Sequence, residues 1–122
     1  MESKIKPIYL SINQVLKEIS SIEISLANKP NRGVQNSLLK SLQMKRSKLK
    51  HLFKKLDDLT RGTIVYVTFR INQTGDTYQK IYTNLSKRDV ELHLKTIFQL
   101  EGYSIDILEI KETSTHEMLT KL

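Results

Sequence analysis

The sequence predicts an α+β protein in which an antiparallel, coiled-coil-like helical hairpin (residues 1–61) precedes a ββαβ unit (residues 62–122). Two features of the apolar spacing lead to this fold class. In the first half of the 122-residue chain, apolar residues recur every three or four positions, which is typical of helices packed along a seam. In the second half the spacing falls mostly to two, as in half-buried strands. We expect the two segments to form one structural unit or two closely joined subdomains.

The first predicted helix carries an apolar seam with the spacing of a coiled coil. Successive seam residues are 4, 3, 4, 3 and 4 positions apart. Pro7 is expected in the first turn of this helix, where a missing N–H costs nothing. The seam consists of Ile8, Ile12, Val15, Ile19, Ile22 and Leu26.

The second predicted helix carries a similar seam. Lys45 stands where another apolar residue would be expected, so its stem should follow the seam while its ammonium group reaches solvent. The loop of residues 28–33 contains Pro30 and Gly33, and it is short enough to make the two helices antiparallel neighbours. The seam consists of Leu38, Leu42, Leu49, Leu52, Leu56 and Leu59.

The ββαβ unit begins with a predicted β-hairpin. Residues 64–71 alternate between two faces, and the turn residues 72–76 connect them to a returning strand over residues 77–83. Ser86, with Asp89 three positions later, predicts the N-cap of a helix.

The topology of the sheet follows from the last strand. Residues 103–111 are rich in isoleucine and predict a third strand after this helix. A right-handed return over the sheet places that strand beside the first one and parallel to the second, in the order 2-1-3. The tail, residues 114–122, is expected to form one loose helical turn.

Composition narrows the class of protein. The absence of cysteine excludes disulfides, thiolate metal sites and cysteine nucleophiles, and it fits a reducing compartment. The first residues lack the apolar stretch of a secretory signal, and no apolar run approaches the roughly 18 residues needed to cross a bilayer. We therefore expect a soluble, cytoplasmic protein that does not contact membranes.

Positive charge is concentrated in the first half of the chain. Residues 1–61 carry 13 Lys and Arg against 5 acids, whereas residues 62–122 carry 7 against 8, so the net charge of +7 comes from the hairpin. No acid occurs between Ile24 and Leu56. Such asymmetry is typical of a segment that meets a polyanion or an acidic protein surface.

The second helix is the first candidate binding surface. Clustered Lys and Arg bind nucleic-acid backbones because each neutralised phosphate releases condensed counterions. The alternative is a solvated helix face that only keeps the chain soluble. The candidate residues for binding nucleic acid or an acidic partner are Lys40, Lys45, Arg46, Lys48, Lys50, Lys54, Lys55 and Arg61.

The sheet face away from the third helix is the second candidate. Aromatic side chains beside cations on an open sheet suit the stacking of single-stranded bases. The alternative is that the helical hairpin covers this face, since tyrosine is also a favoured strand residue. The candidate stacking residues are Tyr66, Arg70, Tyr78, Lys80 and Tyr82.

Catalytic and metal-binding patterns are weak. The histidines, at positions 51, 93 and 116, lack the short spacing that lets two imidazoles share a metal ion, and no phosphate-binding glycine loop or nucleophile motif occurs. We therefore expect neither a metal ion nor another cofactor, and no enzymatic activity. The leading hypothesis is a non-enzymatic protein that contacts the phosphate backbone of nucleic acid through its lysine-rich helix.

Two further hypotheses concern partners. The Lys-rich, Ile-rich and Asn-rich composition is typical of an AT-rich genome, such as that of a phage or mobile element. The alternative function is a protein-binding adaptor or inhibitor, for example one encoded by a phage, that occupies an acidic or nucleic-acid-binding surface of a host protein. Because the apolar seam can also pack against a second copy of the chain, homodimerisation through the hairpin is the other hypothesis.

Overall fold

A computed structural model describes residues 2–59 and 63–121 and confirms the α+β fold. Two long helices come first, and a three-stranded sheet with two further helices follows them. In chain order the elements are α1 (Glu2–Ala27), α2 (Arg32–Leu59), β1 (Thr63–Ile71), β2 (Thr77–Thr83), α3 (Lys87–Leu100), β3 (Ile105–Ser114) and α4 (Thr115–Lys121).

The sheet has the predicted order β2-β1-β3, and β1 pairs antiparallel with both neighbours. β3 contains a β-bulge: Thr68 pairs with Glu109, but the next residue, Phe69, pairs with Ile107. Leu108 is therefore the extra residue, and half of its surface is exposed (50%). The bulge lets Ile107 and Ile110, which are three positions apart, pack on the same side of the sheet.

Ten of the twelve predicted seam residues, all except Leu38 and Leu59, belong to or pack against the hairpin core cluster, but two expectations about the ends of the helices are wrong. α1 begins at Glu2, so Pro7 lies inside the helix and not in its first turn. Gly33 lies in the first turn of α2, because the connection is shorter than expected. The connection between the helices ends at Asn31. The side-chain Oδ1 of Asn31 accepts a hydrogen bond from the backbone N–H of Val34 at 2.9 Å and so caps α2.

Helices cover both faces of the sheet. The hairpin packs on one face, where the cluster of buried residues combines both helices with residues of β1, β2 and α4. α3 packs on the other face, and its first turn is capped by Ser86, whose Oγ accepts from the N–H of Asp89 at 3.1 Å as predicted. Fully buried members on the hairpin side are Ile12, Val15, Phe53, Leu56, Ile64 and Ile81, and on the α3 side Val67, Val90 and Leu94.

α1 closes the outer edge of β2. The side-chain amide of Asn13 donates to the carbonyl oxygen of Ile81 at 3.0 Å, and its Oδ1 accepts from the N–H of Ile81 at 2.8 Å. These are the two bonds that a neighbouring strand would make, so one side chain replaces a strand partner at this position. This contact fixes α1 along the sheet edge.

The tail of the chain is a docked helix and not the loose turn that the sequence suggested. β3 continues to Ser114, and α4 follows directly and packs on α2, where Met118 is buried. Asp57 of α2, also buried, accepts a hydrogen bond from the Thr115 hydroxyl at 2.8 Å. A carboxylate at the N-terminal end of α4 also suits the helix dipole.

Candidate functional site

The cations of α2 surround its solvent side. At 100° per residue, they spread over roughly 200° of the helix circumference, opposite the apolar seam. Arg46, Lys50 and Lys54 follow one another at intervals of four on one flank, whereas Lys48 and Lys55 lie on the other. Besides Arg32 at its first position, α2 has six exposed cations, which we call the basic face of α2: Lys40, Arg46, Lys48, Lys50, Lys54 and Lys55.

Lys45 differs from these residues because it has a partner. Its ammonium forms an ion pair with Glu18 of α1, and both side chains are about one-third exposed. The hydrogen bond from Lys45 lowers the pKa of Glu18, and the charge of Lys48 acts in the same direction. The Lys45 ammonium thus lies at the surface, where it is paired with Glu18, and this lysine ties the two helices together.

No residue of the basic face of α2 forms an ion pair within the described part of the chain. The ion pairs within residues 2–59 and 63–121 use Lys45, Arg70, Lys95 and His116, and none of them uses a member of the basic face. Arg61, the last predicted member of the set, lies outside the described residues. Of the two acids of α2, Asp57 is buried, whereas Asp58 is exposed, four residues after Lys54 and three after Lys55, and it reduces the positive charge at this end of the basic face.

The predicted stacking face does not exist as one surface, because the register separates its members. β1 pairs Val65 with Tyr82 and Phe69 with Tyr78, so these tyrosines point to the α3 side of the sheet. Tyr66 pairs with Ile81 and points to the hairpin side. In this register, odd-numbered residues of β1 pair with even-numbered residues of β2, and even-numbered residues of β1 pair with odd-numbered residues of β2. The even-numbered residues of the two strands therefore lie on opposite faces.

The two candidates on the hairpin side are already engaged. Tyr66 packs against the hairpin cluster, and burial raises the pKa of its hydroxyl. Arg70 donates to Asp106 of β3, its cross-strand partner, at 2.9 Å. Neither side chain is placed to stack on a base together with the tyrosines of β2.

Tyr78, Lys80 and Tyr82 instead line a groove of about 700 Å³. α1 forms one wall, the C-terminal end of α3 forms the other, and β2 with the end of β1 forms the floor. The Lys80 ammonium lies 5.2 Å from the centre of the Tyr82 ring. Burial lowers the pKa of Lys80, and the nearby charge of Lys17 lowers it further.

Sequence reasoning missed the contribution of α1 to this groove. Tyr9, Asn13 and Lys17 recur every four residues and so form a row along one side of α1, next to the edge of β2. Burial raises the pKa of Tyr9 to about 12, although its hydrogen bonds with Asn13 and the backbone of Thr83 act in the opposite direction. The signal in the sequence is weak: it is a four-residue repeat of polar side chains on an amphipathic helix that has many other polar residues.

The described residues contain no group of three or more His, Cys, Asp and Glu side chains arranged to hold a metal ion. His116 lies near Asp57, with 3.8 Å between Nδ1 and Oδ2, but that carboxylate already accepts from Thr115. Asp57 therefore has a structural role in holding α4.

No protein family, curated protein or solved structure matches this chain. Within the described residues, none of the helices has the length and apolar character required to span a bilayer.

Proposed function

We propose that this protein binds nucleic acid through the basic face of α2 and has no enzymatic activity. The observation that carries the proposal is the set of six exposed cations without an acidic partner in the described chain. On an exposed helix that serves only as a solvated surface, acids are usually interspersed with the lysines, often four residues away. Here the cations follow one another through most of the helix without any acid.

The dimensions of α2 suit a polyanion. The basic face runs from Lys40 to Lys55, over about 23 Å of this helix, and along that length it can follow a phosphate backbone. Five of the six cations are lysines, which act as point charges, whereas arginine is the residue that reads guanine edges with paired hydrogen bonds. We therefore propose contact with phosphates that depends little on base sequence.

Salt dependence tests this proposal. If the six cations each neutralise one phosphate of duplex DNA, the logarithm of the binding constant should fall with a slope of about −5 against the logarithm of salt concentration. Between about 50 and 200 mM salt, affinity should then fall roughly 1,000-fold. Binding to a fluorescently labelled duplex, measured by anisotropy across this range, gives the slope. Binding that is indifferent to salt would refute the proposal.

Two variants with the same net charge test whether nucleic acid binds at the basic face of α2. Replacing Lys48, Lys50, Lys54 and Lys55 with Gln should reduce the slope to about −2, since two of the six contacts remain. The control replaces four exposed cations elsewhere with Gln, which removes the same charge. Equal loss of binding in both variants would refute a role for α2 in particular. The control positions are Lys6, Lys87, Arg88 and Lys111.

An adaptor or inhibitor that binds a host protein is the second candidate function. Two large apolar side chains, Leu39 and Met44, are exposed on α2 among the cations, at 47% and 71%. Apolar contacts beside charged ones are typical of protein interfaces, where the charges steer association. A pull-down with and without nuclease separates the candidates: a stoichiometric protein that survives nuclease treatment would favour the adaptor. Homodimerisation and a cytoplasmic location stay predictions.

A further inference from the structure

The groove between α1 and α3 combines features that no part of the proposed function uses. It is lined by two lysines, several aromatic side chains and a buried hydroxyl, and it lies along β2 and not on α2. From these features we infer that the groove is a binding site for a single nucleotide carrying one phosphate, with the phosphate at Lys17 and Lys80 and the base against the aromatic wall.

The two lysines define the phosphate end. Lys17 comes from α1 and Lys80 from β2, and the two ammonium groups are close enough for one to lower the pKa of the other. Neither forms an ion pair with any residue in the described parts of the chain. Two neighbouring cations repel each other unless an anion lies between them, so a bound phosphate would relieve this repulsion.

Tyr82 supplies an independent observation. Its side chain is 5% exposed, and its hydroxyl is buried without a hydrogen-bond partner within residues 2–59 and 63–121. A buried hydroxyl without a partner costs about 1–3 kcal/mol, and such groups in folded proteins call for an explanation. Tyr82 lines the groove but its hydroxyl is covered, so a ligand oxygen becomes its acceptor only if binding moves the side chains that cover it.

The rest of the groove suits a base. Tyr78 and Phe98 both lie against Phe69, with ring centroids 6.2 Å and 5.3 Å from its ring, and all three line the groove. Aromatic faces of this kind stack on any base. The groove volume of about 700 Å³ is within the range of small-molecule sites.

Acidic groups at the opposite end of the groove favour one orientation of the ligand. Asp76 and Glu101 line the end of the groove near the β1–β2 turn. Four strand residues, or about 13 Å, separate Asp76 from Lys80 along the chain. Carboxylates there can accept hydrogen bonds from amino or hydroxyl groups of the base, and they repel a phosphate bound at that end. At the other end the charges of Lys17 and Lys80 balance the charge of about −2 on one phosphate, so the ligand class is a nucleoside monophosphate.

Titration of the full chain with AMP, adenosine and ATP, followed by amide chemical shifts, tests the inference. AMP should shift the amides of β2 and of the part of α1 around Asn13, adenosine should bind at least tenfold more weakly, and ATP should not bind more tightly than AMP. No binding at millimolar AMP, equal affinity for adenosine, or tighter binding of ATP would each overturn the inference.

Variants locate the site. Lys17→Gln combined with Lys80→Gln should weaken AMP binding at least tenfold and leave adenosine binding unchanged. Tyr82→Phe should weaken AMP binding several-fold without lowering thermal stability, because the lost hydroxyl has no partner in the free protein. The matched control, Lys48→Gln with Lys55→Gln on α2, should bind AMP normally. Loss of AMP binding in that control, or unchanged AMP binding in both groove variants, would show that the groove is not the AMP-binding site. This outcome does not depend on whether α2 binds nucleic acid.

Discussion

Replacing Asn13 with Ala tests how strongly α1 is fixed to the edge of the sheet. The substitution removes both hydrogen bonds to the backbone of Ile81, a residue whose side chain is fully buried. Each buried backbone group left without a partner costs about 1–3 kcal/mol. Because the contact is only partly buried, water can reach part of it, so we expect a total loss of about 2–3 kcal/mol in the free energy of unfolding.

The assay combines stability with a local measurement. For a domain of this size the loss corresponds to a fall in Tm of roughly 10 °C. Urea denaturation gives the free energy, and hydrogen exchange of the Ile81 amide reports whether the edge of β2 has opened. The control is Gln14→Ala, since this exposed neighbour makes only a long bond of 3.5 Å to Glu18. Unchanged exchange at Ile81, or an equal loss of stability in the control, would refute the role assigned to Asn13.

Two further predictions concern Tyr9 and the anchor of α4. Burial raises the pKa of Tyr9 to about 12, above the value of about 10 in an unfolded chain, so its contribution to stability is complete below pH 10 and is lost as the pH rises through 12. The free energy of unfolding should therefore fall over this range, and Tyr9→Phe should reduce that fall; an identical pH dependence in the variant would contradict the prediction. Asp57→Ala removes the acceptor of the Thr115 hydroxyl and should cost about 1–3 kcal/mol in urea denaturation. The exposed neighbour supplies the control, Asp58→Ala, which should cost less than about 0.5 kcal/mol; equal costs would show that Asp57 is not an anchor.

The element order and the hairpin were predictable because apolar spacing dictates them. A helix that buries one side must repeat apolar residues every three or four positions, and Ile12, Val15 and Ile19 do so. The order of the sheet follows from the return through α3, which leaves β3 parallel to β2 and able to pair with β1. The helices and the sheet order therefore depend on the spacing of apolar residues along the chain and on general rules for how strands are connected.

The composition of the sheet faces was harder to predict because it depends on register. Shifting a strand pair by one residue moves every side chain of one strand to the other face. The sequence alone does not determine whether Tyr66 pairs with Ile81 or with a residue next to Ile81. The predicted stacking face therefore combined residues from both faces of the sheet. Lys17 was missed for a related reason: a lysine on a helix is ordinarily solvated, and only the fold places it beside Lys80.

The extra residue in β3 has a consequence for self-association. A sheet with free edges offers unpaired N–H and C=O groups to other chains, and regular edges promote aggregation. Asn13 occupies part of one edge of this sheet, and at the opposite edge the irregularity at Leu108 interrupts the row of backbone groups that an incoming strand would need. The two edges are thus protected by different means, which favours a chain that does not polymerise through its strands.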